Sequence, residues 1–189
     1  ANTILKAWKQ AQVTPDDIQY MEMHGTGTKI GDAVEAKAVT EVYKETTRRE
    51  KFPAGSVKSN IGHLGSCAGL AGIVKCVLQM QHQMLVPSIH FNTLNRNIDS
   101  GSIPFYINTR VTPWKSRGVP LLCGINSFGI GGTNAHILLA PHATQPTTPS
   151  KYPCLFTLSA RTMNSLINII DCNLAFVRNN MHLSLSDIC

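Results

Sequence analysis

Short apolar runs alternate with stretches of helically spaced apolar residues along most of the chain. Apolar residues every three or four positions predict an amphipathic helix, and a short apolar run bounded by turn residues predicts a buried strand. Helices are predicted over 3–12, 31–42, 70–82 and 162–177, and strands over 18–23, 55–57, 86–89, 105–111, 121–126, 134–140 and 155–159. This alternation is typical of a sheet covered by helices.

Three glycine-containing loops interrupt these elements, at 24–28, 58–69 and 127–133. The first two each follow a predicted strand and precede a predicted helix. In sheet-and-helix proteins, ligands are usually held by loops that leave the carboxyl ends of strands. Asp32, followed three residues later by Glu35, matches a capping box at the start of the second helix. We therefore expect the functional groups of the chain in these loops.

Composition and charge place the chain among ordinary globular proteins. Its 189 residues are 43% hydrophobic and 15% charged, and no apolar run reaches the roughly 20 residues that a membrane helix needs. The net charge of +6 fits either a solvated surface or an acidic partner. The basic cluster at 44–51 also holds glutamates and lacks aromatic residues, so nucleic acid is not an expected partner.

The six cysteines do not form a metal or redox motif, because no two of them have the two-residue spacing of such sites. Cys67, Cys76 and Cys123 fall in apolar sequence, where free cysteine packs as a small hydrophobe. We expect no structural disulfide, no metal site and a cytoplasmic location, because thiols stay reduced there.

His24 and His63 are the main candidates for chemistry. Two neutral imidazoles that face one pocket can donate hydrogen bonds to a developing oxyanion, or one of them can act as a general base. Alternatively, each ring only satisfies backbone groups of its own loop. Lys58 can hold an anion or orient His63, or it lies on the surface.

Threonines and glycines of the loops offer further contacts. Thr26 and Thr28 can bind an amide or carboxylate of a substrate, or they bond within their own turn. Backbone N–H groups at 129–132 can face an oxyanion, or they form a plain hairpin turn. No glycine run precedes Gly-Lys-Ser/Thr, which excludes a phosphate loop, and Asn134 stands where a dinucleotide fingerprint has its third glycine.

Together the three loops resemble those of β-ketoacyl synthases. His-Gly-Thr-Gly-Thr at 24–28 is similar to the first histidine motif of that family, Lys-Ser-Asn-Ile-Gly-His at 58–63 to the second, and 126–136 to the C-terminal glycine loop. The resemblance covers 1–142. Residues 153–189 look like the beginning of the adapter that follows the ketosynthase in type I modular polyketide synthases, with a Pro/Thr-rich linker at 143–152.

The resemblance implies an α/β fold, the C-terminal half of a thiolase-like layered α-β-α-β-α fold, followed by the start of a small α/β adapter. It implies an acyltransferase of the β-ketoacyl-ACP synthase type, incomplete as given, because the nucleophilic cysteine of the family lies outside this chain. The reaction would be decarboxylative Claisen condensation of an enzyme-bound acyl thioester with malonyl-acyl carrier protein, in polyketide or fatty acid biosynthesis. The implied site residues are His24, His63 and Lys58 in catalysis, Thr26 and Thr28 on the phosphopantetheine arm, and Phe128, Gly129, Ile130 and Gly131 in the oxyanion and gating loop.

The implied partners are acyl carrier protein, the N-terminal half of the same ketosynthase and a second copy in a homodimer. No cofactor, nucleic acid or membrane is implied, because the substrate arrives on the phosphopantetheine of the carrier. Ile130 stands where many members carry phenylalanine, and Gly65 where many modular members carry an acidic residue. Two alternatives stay open: a non-condensing ketosynthase-like module that binds or transfers carrier-bound intermediates, and a structural half-domain without a site of its own.

Overall fold

The computed structural model describes residues 1–44, 46–47, 50–116, 119–142 and 153–189, which fall into two compact units, 1–141 and 142–189. The strands, all in the first unit, are Tyr20–Glu22 (β1), Phe52–Gly55 (β2), Met84–Leu85 (β3), Phe105–Ile107 (β4), Thr112–Pro113 (β5), Cys123–Phe128 (β6) and Asn134–Leu139 (β7). The helices are Asn2–Ala11 (α1), Gly31–Val42 (α2), Lys58–Ile61 (α3) and Ala68–His82 (α4) in the first unit, and Met163–Asn179 (α5) and Leu185–Ile188 (α6) in the second.

Five strands form one mixed sheet in the order β4-β2-β1-β6-β7. The first four run parallel, and β7 returns antiparallel to β6 through the predicted hairpin. Because parallel strands share one carboxyl edge, the segments that follow β1, β2 and β6 meet there. These segments are the three glycine-containing loops, so the topology places them side by side.

The two faces of this sheet are covered by different helices. Met21 packs into a cluster with Ile4 and Trp8 of α1 and Val39 of α2. The preceding residue, Tyr20, packs into a second cluster with Cys76, Trp114 and Cys123. Side chains of consecutive strand residues point to opposite faces, so α1 and α2 cover one face and α4 the other.

Helix α4 confirms the predicted helix at 70–82 but turns its apolar residues outward. Its exposed apolar side chains are Leu70, Val74, Val77 and Leu78, and its buried residues are Ala68, Gly72, Lys75, Cys76 and Gln79. The inward face lies close to the sheet at Gly72, where a Cβ would lie 3.1 Å from Glu22 Cγ. This face buries charge because Lys75 pairs with Glu22, with the Nζ and Oε2 atoms 2.7 Å apart.

Three other predictions about the first unit need correction. The strand predicted at 86–89 forms earlier, as β3, which pairs with β5 in a separate two-stranded sheet. Pro87 explains this shift, since a proline cannot donate to a strand ladder. The strand predicted at 55–57 also forms earlier, as β2, and shares only Gly55 with the prediction. Of the strand predicted at 105–111, only β4 forms.

The second unit is described by two helices. Thr162 caps α5, where its Oγ1 accepts from the Ser165 N–H at 3.2 Å, and this helix confirms the prediction at 162–177. The strand predicted at 155–159 is wrong, because residues 153–160 have no regular structure. Among the described residues of this unit, no second strand is present with which a strand at 155–159 could pair. The predicted linker at 143–152 lies outside the described residues.

Candidate active site

The first histidine loop is held by two carboxylates of α2. Glu35 accepts the His24 N–H through Oε1 at 2.7 Å and the Gly25 N–H through Oε2 at 2.8 Å. Asp32 Oδ1 accepts the Gly27 N–H at 3.1 Å. The predicted capping box is therefore wrong: Ile30 is the N-cap residue, and both acids bind the preceding loop rather than the helix end.

This arrangement requires a sharp fold at Gly25. Its φ of +46° lies in the left-handed region, and a Cβ there would be 2.8 Å from Ser56 Cβ. Burial raises the pKa of Glu35, while the N–H groups of Gly25, Asn126 and His24 oppose that rise. Both carboxylate oxygens accept hydrogen bonds, so the backbone at His24 and at Gly25 is fixed.

The second histidine loop is hydrogen-bonded to another buried carboxylate, that of Glu22 in β1. Glu22 Oε1 accepts the Val57 N–H at 2.5 Å, directly before Lys58 and α3. Glu22 Oε2 accepts from Lys75 Nζ at 2.7 Å and from the Tyr20 hydroxyl at 2.8 Å. The loop predicted at 58–63 thus contains a short helix, which ends at Gly62 with a φ of +75°.

His24 and His63 come together at the carboxyl edge of the sheet. Their ring centroids are 5.5 Å apart and the rings meet edge to face at 85°. His24 Nδ1 accepts from the Phe128 N–H at 3.4 Å, and His63 Nδ1 accepts from the Gly65 N–H at 3.0 Å. Because Nδ1 is an acceptor in each neutral ring, the proton of each ring lies on Nε2.

The electrostatics keep His24 neutral. Burial lowers its pKa, and its Coulomb interactions with Lys58 and with the His63 ring lower it further. Lys58 is half-buried, which lowers its own pKa, while Glu22 and Glu35 act in the opposite direction. His24 is half-buried and His63 is exposed. The pair therefore offers two N–H donors beside a cation, an arrangement able to stabilise an oxyanion.

The third loop borders His24. The Phe128 ring centroid lies 5.7 Å from that of His24. The turn is closed by the Gly129 N–H, which donates to the Thr133 carbonyl at 2.8 Å. Ile130 and Gly131 lie at its exposed tip.

The two threonines of the first loop lie together. Their hydroxyl oxygens are 3.2 Å apart, and Thr28 Oγ1 accepts the Gly31 N–H at 3.2 Å. Thr26 is half-buried and Thr28 is exposed. The Thr28 hydroxyl therefore takes part in local turn bonding, one of the two predicted uses. The Thr26 hydroxyl has fewer hydrogen bonds within the loop and is the freer of the two to bind a ligand.

Glu22, Glu35 and Asn126 also belong to this site, although the sequence did not predict them there. Glu22 could have been predicted, because it is an acidic residue within an apolar strand and a buried charge needs a partner. Glu35 was assigned to the helix end. Asn126 Nδ2 donates to Glu35 Oε1 at 2.9 Å from another strand, a contact that no local pattern predicts.

All six cysteines are free thiols, with Cys76 and Cys123 buried and Cys67 exposed, contrary to its predicted apolar surroundings. Among the described residues, no three metal-ligating side chains cluster. In the same parts of the chain, every helix is too short or too polar to cross a membrane.

Two family models match the chain in succession. The β-ketoacyl synthase C-terminal domain matches residues 1–92, and the ketoacyl-synthetase C-terminal extension matches residues 95–188. Polyketide synthase PksL of Bacillus subtilis is 40% identical over 180 residues, which cover 88% of this chain and 4% of that protein. Fumosorinone synthetase of Cordyceps fumosorosea is 37% identical, over 98% of this chain and 5% of its own length.

Solved ketosynthases have the same fold. The ketosynthase from module 6 of the bacillaene synthase of Bacillus subtilis matches 96% of this chain with a TM-score of 0.70 and 38% identity. The oxazolomycin ketosynthase domain OzmH KS7 of Streptomyces albus matches 93% with a TM-score of 0.71 and 37% identity. The chain spans 32% of each of these structures. These likenesses confirm the thiolase-like α/β fold, and the chain belongs to the β-ketoacyl synthase family, as C-terminal ketosynthase sequence of the polyketide synthase type.

Proposed function

We propose that this chain supplies the histidine pair of a condensing ketosynthase, an acyltransferase that extends an enzyme-bound acyl thioester with malonyl-acyl carrier protein. The observation that carries the proposal is the shared tautomer of His24 and His63. Each Nδ1 accepts a backbone N–H, so each Nε2 is left as a donor. Two N–H donors on neighbouring rings suit the oxygen of a thioester enolate, which gains negative charge as carbon dioxide leaves.

In the proposed reaction, the malonyl thioester loses carbon dioxide and the resulting enolate carbon attacks the acyl thioester carbonyl. A carbon–carbon bond forms, and the thiolate that carried the acyl group leaves. The cysteine that bears this thiolate would come from sequence outside the chain. His24 suits the donor role because burial lowers its pKa and keeps its ring neutral. Lys58 would add positive charge behind the pair.

The other loop residues support delivery of the substrate. Thr26, whose hydroxyl is the freer of the two, and Thr28 would contact the phosphopantetheine arm of the carrier protein, which arrives as part of the substrate. The backbone at Ile130, within 128–131, would complete an oxyanion hole for the acyl carbonyl and gate the acyl pocket. The exposure of Ile130 and Gly131 supports this role, because a gate must be free to move.

The size of the solved ketosynthases and the outward face of α4 support one proposed partner, the N-terminal part of the same ketosynthase. Leu70, Val74, Val77 and Leu78 would be a costly exposed patch on a finished domain. We infer that the N-terminal part of the same ketosynthase covers them. A homodimer, an acyl carrier protein partner and a cytoplasmic location belong to the same proposal. Residues 1–142 would be ketosynthase, 143–152 linker and 153–189 the beginning of the adapter.

The test uses the complete ketosynthase that contains this chain. His24→Ala and His63→Ala should each lower the rate of malonyl-carrier decarboxylation by about 10²–10³-fold, the usual effect of removing one oxyanion donor. Acyl loading of the enzyme, followed by intact mass, should continue, because it does not form the enolate. His82→Ala, an exposed histidine in the last turn of α4, is the matched control and should leave both steps unchanged.

Unchanged decarboxylation in both histidine variants would contradict the proposed function. Decarboxylation without carbon–carbon bond formation in the unmodified enzyme would instead point to a non-condensing module.

A further inference from the structure

A chain of buried hydrogen bonds links α1 to the first histidine loop. Trp8 Nε1 donates to His136 Nε2 at 3.1 Å, and His136 Nδ1 lies 2.7 Å from Asn126 Oδ1. Asn126 Nδ2 then donates to Glu35 Oε1 at 2.9 Å, the same oxygen that accepts the His24 N–H at 2.7 Å. The side chains of Trp8, His136, Asn126 and Glu35 are all buried, with residue exposures of 8% or less.

In each hydrogen bond of this series, only one of the two groups can be the donor. An indole N–H only donates, so His136 Nε2 must be unprotonated and its ring must carry the proton on Nδ1. That proton can only be donated to Asn126 Oδ1. The Asn126 amide is thereby oriented with its NH₂ group toward Glu35, which as a carboxylate only accepts.

The packing around His136 leaves little freedom for another arrangement. Asn126 and His136 are directly opposed residues of β6 and β7. A Cβ on Gly124 would lie 2.7 Å from His136 Cε1, so the backbone of β6 approaches the ring closely on one side. A buried network in which every group has a partner holds its members in a single geometry.

We propose that His136 is a positioning residue for His24, acting through Asn126 and Glu35. This proposal rests on the proposed role of His24. His136 fixes the Asn126 amide, which fixes the rotamer of Glu35, whose Oε1 holds the backbone N–H of His24. A loosened Glu35 would let His24 shift relative to His63. Because a misplacement of about 1 Å can cost about 10²-fold in rate, such a shift would affect the decarboxylation step more than acyl loading.

The experiment measures both half-reactions in the complete ketosynthase: acyl loading by intact mass, and malonyl-carrier decarboxylation by carbon dioxide release. His136→Leu should lower the ratio of decarboxylation to loading by about 10- to 100-fold. His136→Gln keeps one acceptor for Trp8 and one donor for Asn126, so it should restore most of that ratio. A purely structural role would lower both half-reactions together.

Two tryptophans provide a matched pair that does not alter His136. Trp8 and Trp114 are both buried, and each indole N–H makes one hydrogen bond of 3.1 Å, to His136 and to Gln19 Oε1 respectively. Trp8→Phe should lower the ratio, whereas Trp114→Phe should not. This comparison serves also if His136→Leu fails to fold.

The positioning role is overturned if the ratio in His136→Leu equals that of the unmodified enzyme, or if Trp8→Phe and Trp114→Phe lower it equally. His24→Ala in the same assay separates the two proposals. Unchanged decarboxylation in that variant refutes the proposed function itself. A large effect of His24→Ala without an effect of the His136 variants refutes only the positioning role.

Discussion

Replacing Lys75 with methionine removes the cation from a buried cluster next to the second histidine loop. Lys75 Nζ lies 2.7 Å from Glu22 Oε2 and 2.8 Å from the Tyr20 hydroxyl. The side chains of Lys75 and Glu22 are only 6% and 3% exposed. Glu22 also holds the Val57 N–H at 2.5 Å, so the cluster and the start of α3 share one carboxylate.

Two opposing terms set the magnitude. At an effective dielectric constant of about 20, unit charges separated by this 2.7 Å attract each other by about 6 kcal/mol. Taking both ions out of water costs several kcal/mol for each. The pair as a whole therefore contributes little net stability. Lys75→Met removes the attraction but leaves the Glu22 carboxylate buried, which should cost about 3–5 kcal/mol.

Amide hydrogen exchange in the complete ketosynthase gives the local opening free energy at Val57 directly. At about 1.4 kcal/mol for each factor of ten, the expected cost corresponds to exchange that is faster by about 140- to 3,700-fold. Lys44→Met is the matched control. Lys44 and Glu41 form an even shorter pair, 2.6 Å, but on the surface, so its loss should cost at most about 1 kcal/mol.

The double variant Lys75→Met with Glu22→Gln tests whether charge causes the loss. Glutamine keeps an acceptor for the Val57 N–H and offers a donor to Tyr20, so no ion is left buried. The double variant should cost at least about 2 kcal/mol less than the sum of the single variants, as expected for residues in contact. Additive costs, or a Lys75→Met effect no larger than that of Lys44→Met, would refute this reasoning.

Two further predictions concern the first loop and its buried support. Gly25→Ala should lower the melting temperature of the complete ketosynthase more than Gly27→Ala. Both positions have positive φ, which strains alanine by about 1–3 kcal/mol. Of the two, only Gly25 would place the new Cβ against another atom, Ser56 Cβ at 2.8 Å. Equal melting temperatures would contradict this. Burial lowers the pKa of His136 from 6.5 to about 4. As the pH falls, the unfolded chain therefore binds the proton before the folded protein does. The free energy of unfolding should then decline between pH 6.5 and 4 by up to about 3 kcal/mol. His136→Gln should reduce this decline in unfolding measured across that range, and an identical decline would assign it to other groups.

The sequence predicted the parts of the site that follow from local pattern. Short apolar runs followed by glycine-containing loops located β1 and β6, whereas β2 forms at 52–55 and shares only Gly55 with the predicted strand. Parallel pairing brings the ends of such strands to one edge. His24 and His63 are neighbours for that reason. The 126–136 segment folds as the predicted hairpin, because its two apolar runs flank a glycine turn.

Local pattern failed where a side chain serves a distant segment. The Asp32–Glu35 spacing fits a capping box, but Glu35 binds the backbone of His24 and Gly25 instead. The periodicity of α4 was correct, yet Val74 and its apolar neighbours are exposed and the buried side carries Lys75. Periodicity shows that a helix has two faces. It cannot show which of the two faces meets the sheet.

The positions of the two histidines depend on buried carboxylates, one behind each loop. Glu35 holds the backbone at His24, and Glu22 holds it just before Lys58. Each carboxylate also accepts from a side chain of another element, Asn126 for Glu35 and Lys75 for Glu22. The 5.5 Å separation of the imidazoles is therefore set by the packing of α2, α4 and β6 around the sheet. The same loop sequences placed in another fold would keep both histidines and lose their spacing.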